Sequence, residues 1–255
     1  SRPVGEQEAK TEMAMTTEEY YDKFSDAYLA EYGPVFQSAV FSTNPKDFAR
    51  VMMDRAIITP QHSVLDVGCG VGGVMSGLVS NGVEDVTGVT ISKRQVELAE
   101  LSLELADFME WDDAGRNFDR IILCESFGYF PEPGRLIEKV RGLLNPGGMV
   151  YVKDVCAVSD PCYMQQYGLE AIGKLWGGYA VYSIEEMLWM WGMRRIGGGD
   201  NLWRETSCSE WVKFAIGESR FSRSHSELLA EAGRTQTPIW KNQMPIKAAD
   251  FLFTK

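Results

Sequence analysis

The chain has 255 residues, enough for one large α/β domain, and its 45% hydrophobic and 24% charged residues are typical of a globular protein. The formal net charge of −11 argues against nucleic acid as a partner, and no run of roughly eighteen apolar residues predicts a membrane span. The five cysteines are odd in number and lack C-x-x-C spacing, which favours reduced thiols and a cytoplasmic location.

The N-terminal part of the sequence is predicted to be helical after a short tail. Residues 1–15 are polar and acidic, do not resemble a secretory signal, and are expected to be a disordered tail. Residues 16–57 are predicted to form two helices. A Thr-Thr-Glu-Glu capping sequence begins the first helix, Gly33 ends it, and Asn44 caps the second. We interpret this segment as a helical N-terminal cap.

Strands and helices alternate along residues 58–155, and this pattern predicts a Rossmann-like core. Its strands are predicted at SVLDVG, DVTGVTI, LSLELADF, FDRIILCES and GGMVYVKDV. Residues 156–222 are rich in Trp, Tyr and Met, and are predicted to be helices and loops of an aromatic-rich cap insertion. Residues 223–255 are predicted to add a helix and an antiparallel pair, TQTPIW and AADFLFTK. The fold class expected is α/β, doubly wound, with a mostly parallel seven-stranded sheet whose last strand is antiparallel.

A glycine-rich turn, VLDVGCGVGG, follows the first predicted strand. Gly68, Gly70 and Gly73 satisfy G-x-G-x-x-G, which lets the backbone approach a nucleotide and offers N–H groups at the next helix. A dinucleotide site would have an acidic residue at the end of the second strand, where this chain has Thr90. A phosphorylated dinucleotide stays open at this point, because basic residues follow closely.

Asp66 lies two residues before Gly68, and the resulting D-x-G-x-G resembles motif I of the class I S-adenosylmethionine (SAM)-dependent methyltransferases. ELADF, FDRIILCES and LLNPGGMVYV resemble further motifs of that family in the same order, so the resemblance covers residues 60–155. It implies SAM as cofactor, with an acid for the adenine amine and an apolar neighbour for its ring after the third strand. The SAM-binding residues that it implies here are Asp66, Gly68, Cys69, Gly70, Gly72, Asp107, Phe108 and Cys124.

The segment GVTISKRQVELA resembles a subset of that family whose members methylate alkene carbons. This subset includes cyclopropane fatty acid synthases and prenyl diphosphate C-methyltransferases of the geranyl diphosphate type, and it implies that Thr90, Ile91 and Gln95 line the SAM site. The N-terminal YLAEYGPV is similar to the segment before the SAM domain of the geranyl diphosphate enzyme. The sequence departs from the family in a short stretch between Gln95 and Asp107, and its aromatic cap aligns with no relative.

Glu125 follows the fourth predicted strand, and three of the next five residues are aromatic. An unpaired carboxylate beside apolar surface is costly to keep ionised. Sterol and geranyl diphosphate C-methyltransferases carry a similarly placed glutamate, which implies that Glu125 is the general base for a carbocation. Aromatic rings attract a cation by roughly 0.5–2 kcal/mol each. The candidate substrate-pocket residues are Tyr21, Tyr28, Tyr32, Ser126, Tyr129, Trp176, Tyr179 and Tyr182.

The function expected is SAM-dependent C-methylation of an alkene carbon of a short prenyl diphosphate in isoprenoid metabolism. Mg²⁺ is expected as a second cofactor with unknown ligands, and the diphosphate could contact Lys153, Arg194, Arg195 or Arg204. One alternative is an N- or O-methyltransferase of a small natural product. Others are a non-catalytic SAM-binding partner subunit and an NADP-dependent oxidoreductase. Exposed aromatic residues on the N-terminal helices would be compatible with a homodimer.

Overall fold

The computed structural model describes residues 15–35, 37, 42–157, 173, 176–192, 202–206 and 246–254. Most of the predicted N-terminal tail, the larger part of the predicted cap insertion and the predicted strand TQTPIW lie outside these residues. Within them, no helix combines the length and the apolar character needed to cross a membrane.

Two capped helices begin the described chain, as predicted. Helix α1 (Thr17–Tyr32) has Thr16 as its N-cap in a complete capping box with Glu19, and the chain leaves it at Gly33 with φ of 73°. Helix α2 (Pro45–Ala56) begins behind Asn44, whose side chain accepts hydrogen bonds from the first backbone N–H groups. These local signals fix where both helices start, because they satisfy N–H groups that have no partner within a helix.

The centre of the fold is a seven-stranded sheet with the order β3-β2-β1-β4-β5-β7-β6. Strands β1 to β5 pair in parallel, and β7 is antiparallel to both of its neighbours, β5 and β6. This mixed sheet with flanking helices confirms a Rossmann-like α/β fold. The strands are β1 (Ser63–Val67), β2 (Asp85–Thr90), β3 (Glu104–Leu105), β4 (Phe118–Cys124), β5 (Leu144–Ala157), β6 (Leu202–Thr206) and β7 (Ile246–Thr254). The remaining helices are α3 (Gly73–Ser80), α4 (Lys93–Leu98), α5 (Pro133–Gly142) and α6 (Ile184–Met190).

Two elements differ from the sequence-based expectation. Strand β3 has only two residues of the predicted LSLELADF, because it lies at the edge of the sheet and has β2 as its single neighbour. Strand β6 lies inside residues 156–222, where helices and loops were predicted throughout, so that expectation was wrong for these five residues. Its partner, β7, is distant in sequence, and a local pattern does not reveal such pairing.

Both faces of the sheet are covered, as expected for parallel strands. One face packs its buried side chains against α5 and α6, for example Leu123 and Val152 against Leu136. The other face packs against α2 and α3, with Ile122 near Phe48. Because β1, β4 and β5 run in parallel and adjacent, their carboxyl ends meet at one edge, where such folds form their sites.

Candidate active site

The glycine turn after β1 adopts a backbone that side chains disfavour. Gly68, Gly70 and Gly72 have φ values of 73°, 58° and 83°. A Cβ at Gly68 would also lie 2.6 Å from the Cβ of Ser126, so the turn packs directly on the loop after β4. Gly73 is equally restricted, because a Cβ there would collide with the carbonyl oxygen of Pro34. The predicted turn is therefore pressed between the β4 loop and the connection that follows α1.

Asp66 presents an unsatisfied buried oxygen at this edge of the sheet. Its side chain is 1% exposed, and Oδ2 has no hydrogen-bond partner among the described residues. Burial raises the pKa of the carboxyl to about 7. A buried acceptor without a partner is costly unless a ligand satisfies it. The residues present thus fit SAM, whose amino group and sulfonium are both positively charged.

The raised pKa of Asp66 predicts a pH dependence of stability. The folded-state pKa of about 7 lies above the ordinary value of 3.8, so the protonated carboxyl contributes its full stability below about pH 4, and this stability is lost as the pH rises through 7. Between pH 4 and pH 7 we expect Asp66 to lower the free energy of unfolding of the ligand-free protein by about 1.4 kcal/mol per pH unit. Asp66→Asn cannot ionise and should lack this fall. Urea unfolding of both proteins from pH 4 to 8 would test this, and parallel curves would refute it.

The end of β2 carries a closed hydrogen-bond network. Thr90 Oγ1 donates to Gln95 Oε1 at 2.6 Å, and both side chains are buried. Ser92 caps α4 by accepting a hydrogen bond from the backbone N–H of Gln95. The structure thus brings the three predicted residues, Thr90, Ile91 and Gln95, into one short segment beside the glycine turn. That they contact SAM stays a prediction.

The two residues predicted to flank the adenine differ in environment. Asp107 is exposed, and its Oδ1 accepts a hydrogen bond from the backbone N–H of Met109 at 2.9 Å. Phe108 is 4% exposed, and its ring packs against Trp111 and Phe130 with centroids 5.8 and 6.0 Å apart. Phe108 is thus a core residue at this edge, and its contact with an adenine stays a prediction.

Glu125 forms an ion pair with Lys153 where β4 ends. Lys153 Nζ donates to Glu125 Oε1 at 2.5 Å, and the side chains are 2% and 12% exposed respectively. Glu125 has φ of 56°, an uncommon conformation for a residue with a side chain, and its N–H donates to the carbonyl of Lys153. The ammonium therefore compensates the carboxylate that looked costly in the sequence. Lys153, one candidate for a diphosphate contact, is placed here in this ion pair.

Asp154 is a second carboxyl at this site that sequence reasoning missed. It is 3% exposed, and its Oδ2 has no hydrogen-bond partner in the described part of the chain. Burial first, and then the charge of Glu125, raise the pKa of Asp154 well above its ordinary range. The signal available in the sequence was the Lys-Asp pair inside the otherwise apolar strand VYVKDVCA.

Cys124 and Ser126 flank Glu125 in the sequence and have structural contacts. Cys124 is buried, and burial raises the pKa of its thiol, so the thiol is kept in its unreactive form. Ser126 Oγ donates to the carbonyl of Val67 at 2.6 Å and ties the β4 loop to the end of β1. Cys69, in the glycine turn, is likewise buried with a raised thiol pKa.

Tyrosine side chains from α1 and from two later segments form a cluster that we call the tyrosine array. Two pairs of hydroxyl groups, Tyr20 with Tyr28 and Tyr21 with Tyr129, are each 2.7 Å apart. Burial first, and then the neighbouring Tyr28, raise the pKa of Tyr21, with a smaller contribution from the charge of Glu125. The array consists of Tyr20, Tyr21, Tyr28, Tyr32, Tyr129 and Tyr179, with Trp176 against Tyr179.

The array includes most of the predicted pocket residues but not Tyr182, whose place in the pocket stays a prediction. Tyr182 packs its ring against Phe127 with centroids 5.7 Å apart, in the core near α6, and no ring contact joins it to the array among the described residues.

The aromatic residues of α1 were expected to be exposed, but Tyr20 and Phe24 are buried and the other tyrosines are half-buried. The argument for a homodimer from exposed aromatic residues therefore fails for α1. Tyr20 was missed, although it lies eight residues before Tyr28 and thus near it on the helix.

The described residues do not offer a donor set for Mg²⁺. Within them, no group of three or more His, Cys, Asp or Glu side chains could hold a metal ion. Arg194 and Arg195 lie outside the described residues, and for Arg204 only the backbone in β6 is described.

Comparisons with known proteins identify the family of the chain. Residues 36–214, more than half of the chain, match a family described as methyltransferase domain. The 24-methylenesterol C-methyltransferase 2 of Arabidopsis thaliana is 24% identical over 259 residues, which cover 91% of this chain and 72% of that protein. The chain spans less than half the length of several other curated relatives that it matches.

Solved structures share the fold. Phosphoethanolamine N-methyltransferase 2 of Haemonchus contortus, with phosphomonomethylethanolamine and S-adenosylhomocysteine (SAH), has a TM-score of 0.68 and 14% identity, covering 94% of this chain and 59% of that one. Geranyl diphosphate C-methyltransferase of Streptomyces coelicolor A3(2), with Mg²⁺, geranyl-S-thiolodiphosphate and SAH, has a TM-score of 0.57 and 15% identity, covering 81% and 74%. With the match over residues 36–214, the chain belongs to the family described as methyltransferase domain.

Proposed function

We propose that this enzyme methylates an alkene carbon and that Glu125 is the general base. The observation that carries the proposal is the Glu125 carboxylate, which Lys153 holds at the end of β4, four residues before Tyr129 of the tyrosine array. The similarity to a sterol C-methyltransferase over most of the chain supports carbon as the methyl acceptor. The resemblance of the segment GVTISKRQVELA to alkene-methylating enzymes also supports carbon as the methyl acceptor.

The residues would act on the charge that methyl transfer creates. SAM, when bound, would supply an electrophilic methyl group: the alkene electrons would form the new C–C bond, the S–CH₃ bond would break to leave SAH, and the positive charge would pass to the alkene as a carbocation. Tyrosine rings attract this cation and keep water away from it. Glu125 then takes a proton from a carbon beside the cation, the C–H electron pair becomes the new double bond, and the proton stays on the carboxyl oxygen. Lys153 holds the carboxylate in place for that step.

The substrate class that we place first is a short prenyl diphosphate. Its support is the sequence resemblance and the shared fold of the geranyl diphosphate enzyme, which was solved with Mg²⁺. The one cation described at the site, Lys153, is paired with Glu125, so the diphosphate would need other basic residues. Arg194, Arg195 and Arg204 are the remaining candidates, and Mg²⁺ is part of this proposal only.

A substrate panel tests the proposal. Incubation of the enzyme and SAM with isopentenyl, dimethylallyl, geranyl or farnesyl diphosphate should give a product one methyl heavier by mass spectrometry, and EDTA should suppress it if Mg²⁺ takes part. If only a sterol-like alkene gave a methylated product, the proposal of C-methylation would stand and the proposal of a prenyl diphosphate substrate would be wrong. Methylated nitrogen or oxygen in a small natural product, without any alkene product, would instead establish the alternative N- or O-methyltransferase.

A further inference from the structure

A pair of acidic residues on α1 attaches this helix to the segment that follows β2. Asp22 Oδ1 accepts a hydrogen bond from Ser92 Oγ at 2.6 Å and another from the backbone N–H of Arg94 at 3.0 Å. Asp26, one turn further along α1, accepts two hydrogen bonds from the Arg94 guanidinium at 2.7 and 2.6 Å. The two carboxylates thus join α1 to the first turn of α4.

The contact of Asp22 continues into the end of β2. Ser92 Oγ, which donates to Asp22, also accepts a hydrogen bond from the backbone N–H of Gln95 at 3.1 Å. Gln95 in turn accepts from Thr90 Oγ1, which also accepts from the backbone N–H of Ser92 at 3.3 Å. Ser92, Thr90 and Gln95 are almost fully buried. An unbroken network therefore connects α1 to Thr90 and Gln95, two of the side chains predicted to line the SAM site.

The two acidic residues should differ in importance. The Asp26–Arg94 pair has side chains that are 57% and 37% exposed, and exposed ion pairs contribute little to stability. Asp22 instead bonds a fully buried hydroxyl and a backbone N–H group, and buried hydrogen bonds to charged groups are stronger. The hydrogen bond from Ser92 is the main cause of a lowered pKa at Asp22, so the carboxylate is the form that binds.

Helix α1 also carries the first part of the tyrosine array, including Tyr21 and Tyr28. A helix that supplies the substrate pocket is therefore attached, through Asp22, to the segment beside the cofactor. We propose that Asp22 is a positioning residue that couples occupation of the SAM site to the docking of α1, and so to assembly of the tyrosine array. The role of the array as the substrate pocket rests on the proposed function, whereas the coupling itself does not.

The coupling predicts a loss of cofactor affinity in a variant far from any cofactor contact. Asp22→Ala should bind SAH about tenfold more weakly by calorimetry, within the usual range for coupled sites. In hydrogen exchange, SAH should increase the protection of amides in residues 17–32 of the wild type, and this gain should be absent in the variant. Asp26→Asn should change SAH affinity by about twofold or less. The matched control is Asp47→Ala, which removes an exposed first-turn acid of α2 paired with Arg50.

The measurements on Asp22→Ala and on the wild type can each overturn the proposal. Wild-type SAH affinity in Asp22→Ala, or no SAH-dependent protection of α1 in the wild type, would overturn the proposal. If Asp22→Ala proves unfolded by circular dichroism, Ser92→Ala replaces it, because this variant removes the hydroxyl group that donates to Asp22 Oδ1. A folded Ser92→Ala with unchanged SAH affinity would overturn the proposal equally. No methyl acceptor enters these measurements, so a wrong substrate assignment leaves their result unaffected.

Discussion

Glu125→Gln should bind SAM with nearly wild-type affinity and lose turnover by about 10²- to 10⁴-fold, the usual contribution of a general base. The reason is that the amide keeps the shape and one acceptor oxygen of the carboxyl but cannot take a proton from a carbocation. Calorimetry with SAH measures binding, and single-turnover assays with the methyl acceptor found in the substrate panel measure the chemical step. Full activity of this variant would show that Glu125 is not the general base.

A loss of activity in Glu125→Gln has a second explanation that a control separates. The variant leaves Lys153 buried without its counter-charge, and a buried unpaired charge can distort the site. The double variant Glu125→Gln/Lys153→Met removes both charges and should be as inactive as the single variant. Recovery of turnover in the double variant would show that the charge imbalance, and not the missing base, caused the loss.

Lys153→Met should lower the free energy of unfolding by about 3–5 kcal/mol, which is typical when one partner of a buried ion pair is removed. The variant leaves Glu125, with 12% of its side chain exposed, without its counter-charge. The double variant should recover most of this stability, because neither charge is then buried alone. Urea unfolding near neutral pH, followed by circular dichroism, measures both effects.

A solvent-exposed pair provides the matched control for this stability difference. Arg135 and Glu132 form an ion pair with side chains that are 62% and 60% exposed. Arg135→Met should therefore change the free energy of unfolding by no more than about 1 kcal/mol. Equal stabilities of Lys153→Met and the wild type would mean that Glu125 and Lys153 are solvated and that the buried-pair interpretation is wrong.

The parts of the fold that sequence reasoning predicted well are those with local signals. The capping box at Thr16 and Glu19, and the Asn44 cap, each specify a helix start within four adjacent residues. The glycine turn is equally local, because its backbone conformation excludes most side chains at Gly68 and its neighbours. These features needed no knowledge of distant partners.

The missed features depend on pairings that a local pattern does not determine. Glu125 and Lys153 are 28 positions apart, and they meet because Cys124 and Lys153 are partners in the parallel β4–β5 register. Both strands are mostly apolar, so alternation gives little information on that register. Strand β6 was missed for the same reason, since its partner β7 lies about forty residues later.

The tyrosine array was predicted only in part. Helical spacing places Tyr21, Tyr28 and Tyr32 close together on α1, and sequence reasoning grouped them correctly. Their inward orientation followed from tertiary packing, because Tyr21 bonds Tyr129 and Tyr129 packs on Tyr179. The same packing removed the exposed aromatic surface from which a homodimer was expected.

The central claim is that the methyl group goes to carbon with Glu125 as base, and the most direct measurement follows the methyl group itself. Wild-type enzyme and Glu125→Gln would be incubated with SAM carrying a ¹³C-labelled methyl group and the active alkene, and the products analysed by ¹³C NMR. We predict a signal of a methyl group bonded to carbon in the wild type, and little or none in Glu125→Gln. A labelled methyl group bonded to oxygen or nitrogen, or an equal carbon-bound signal from both proteins, would contradict the account.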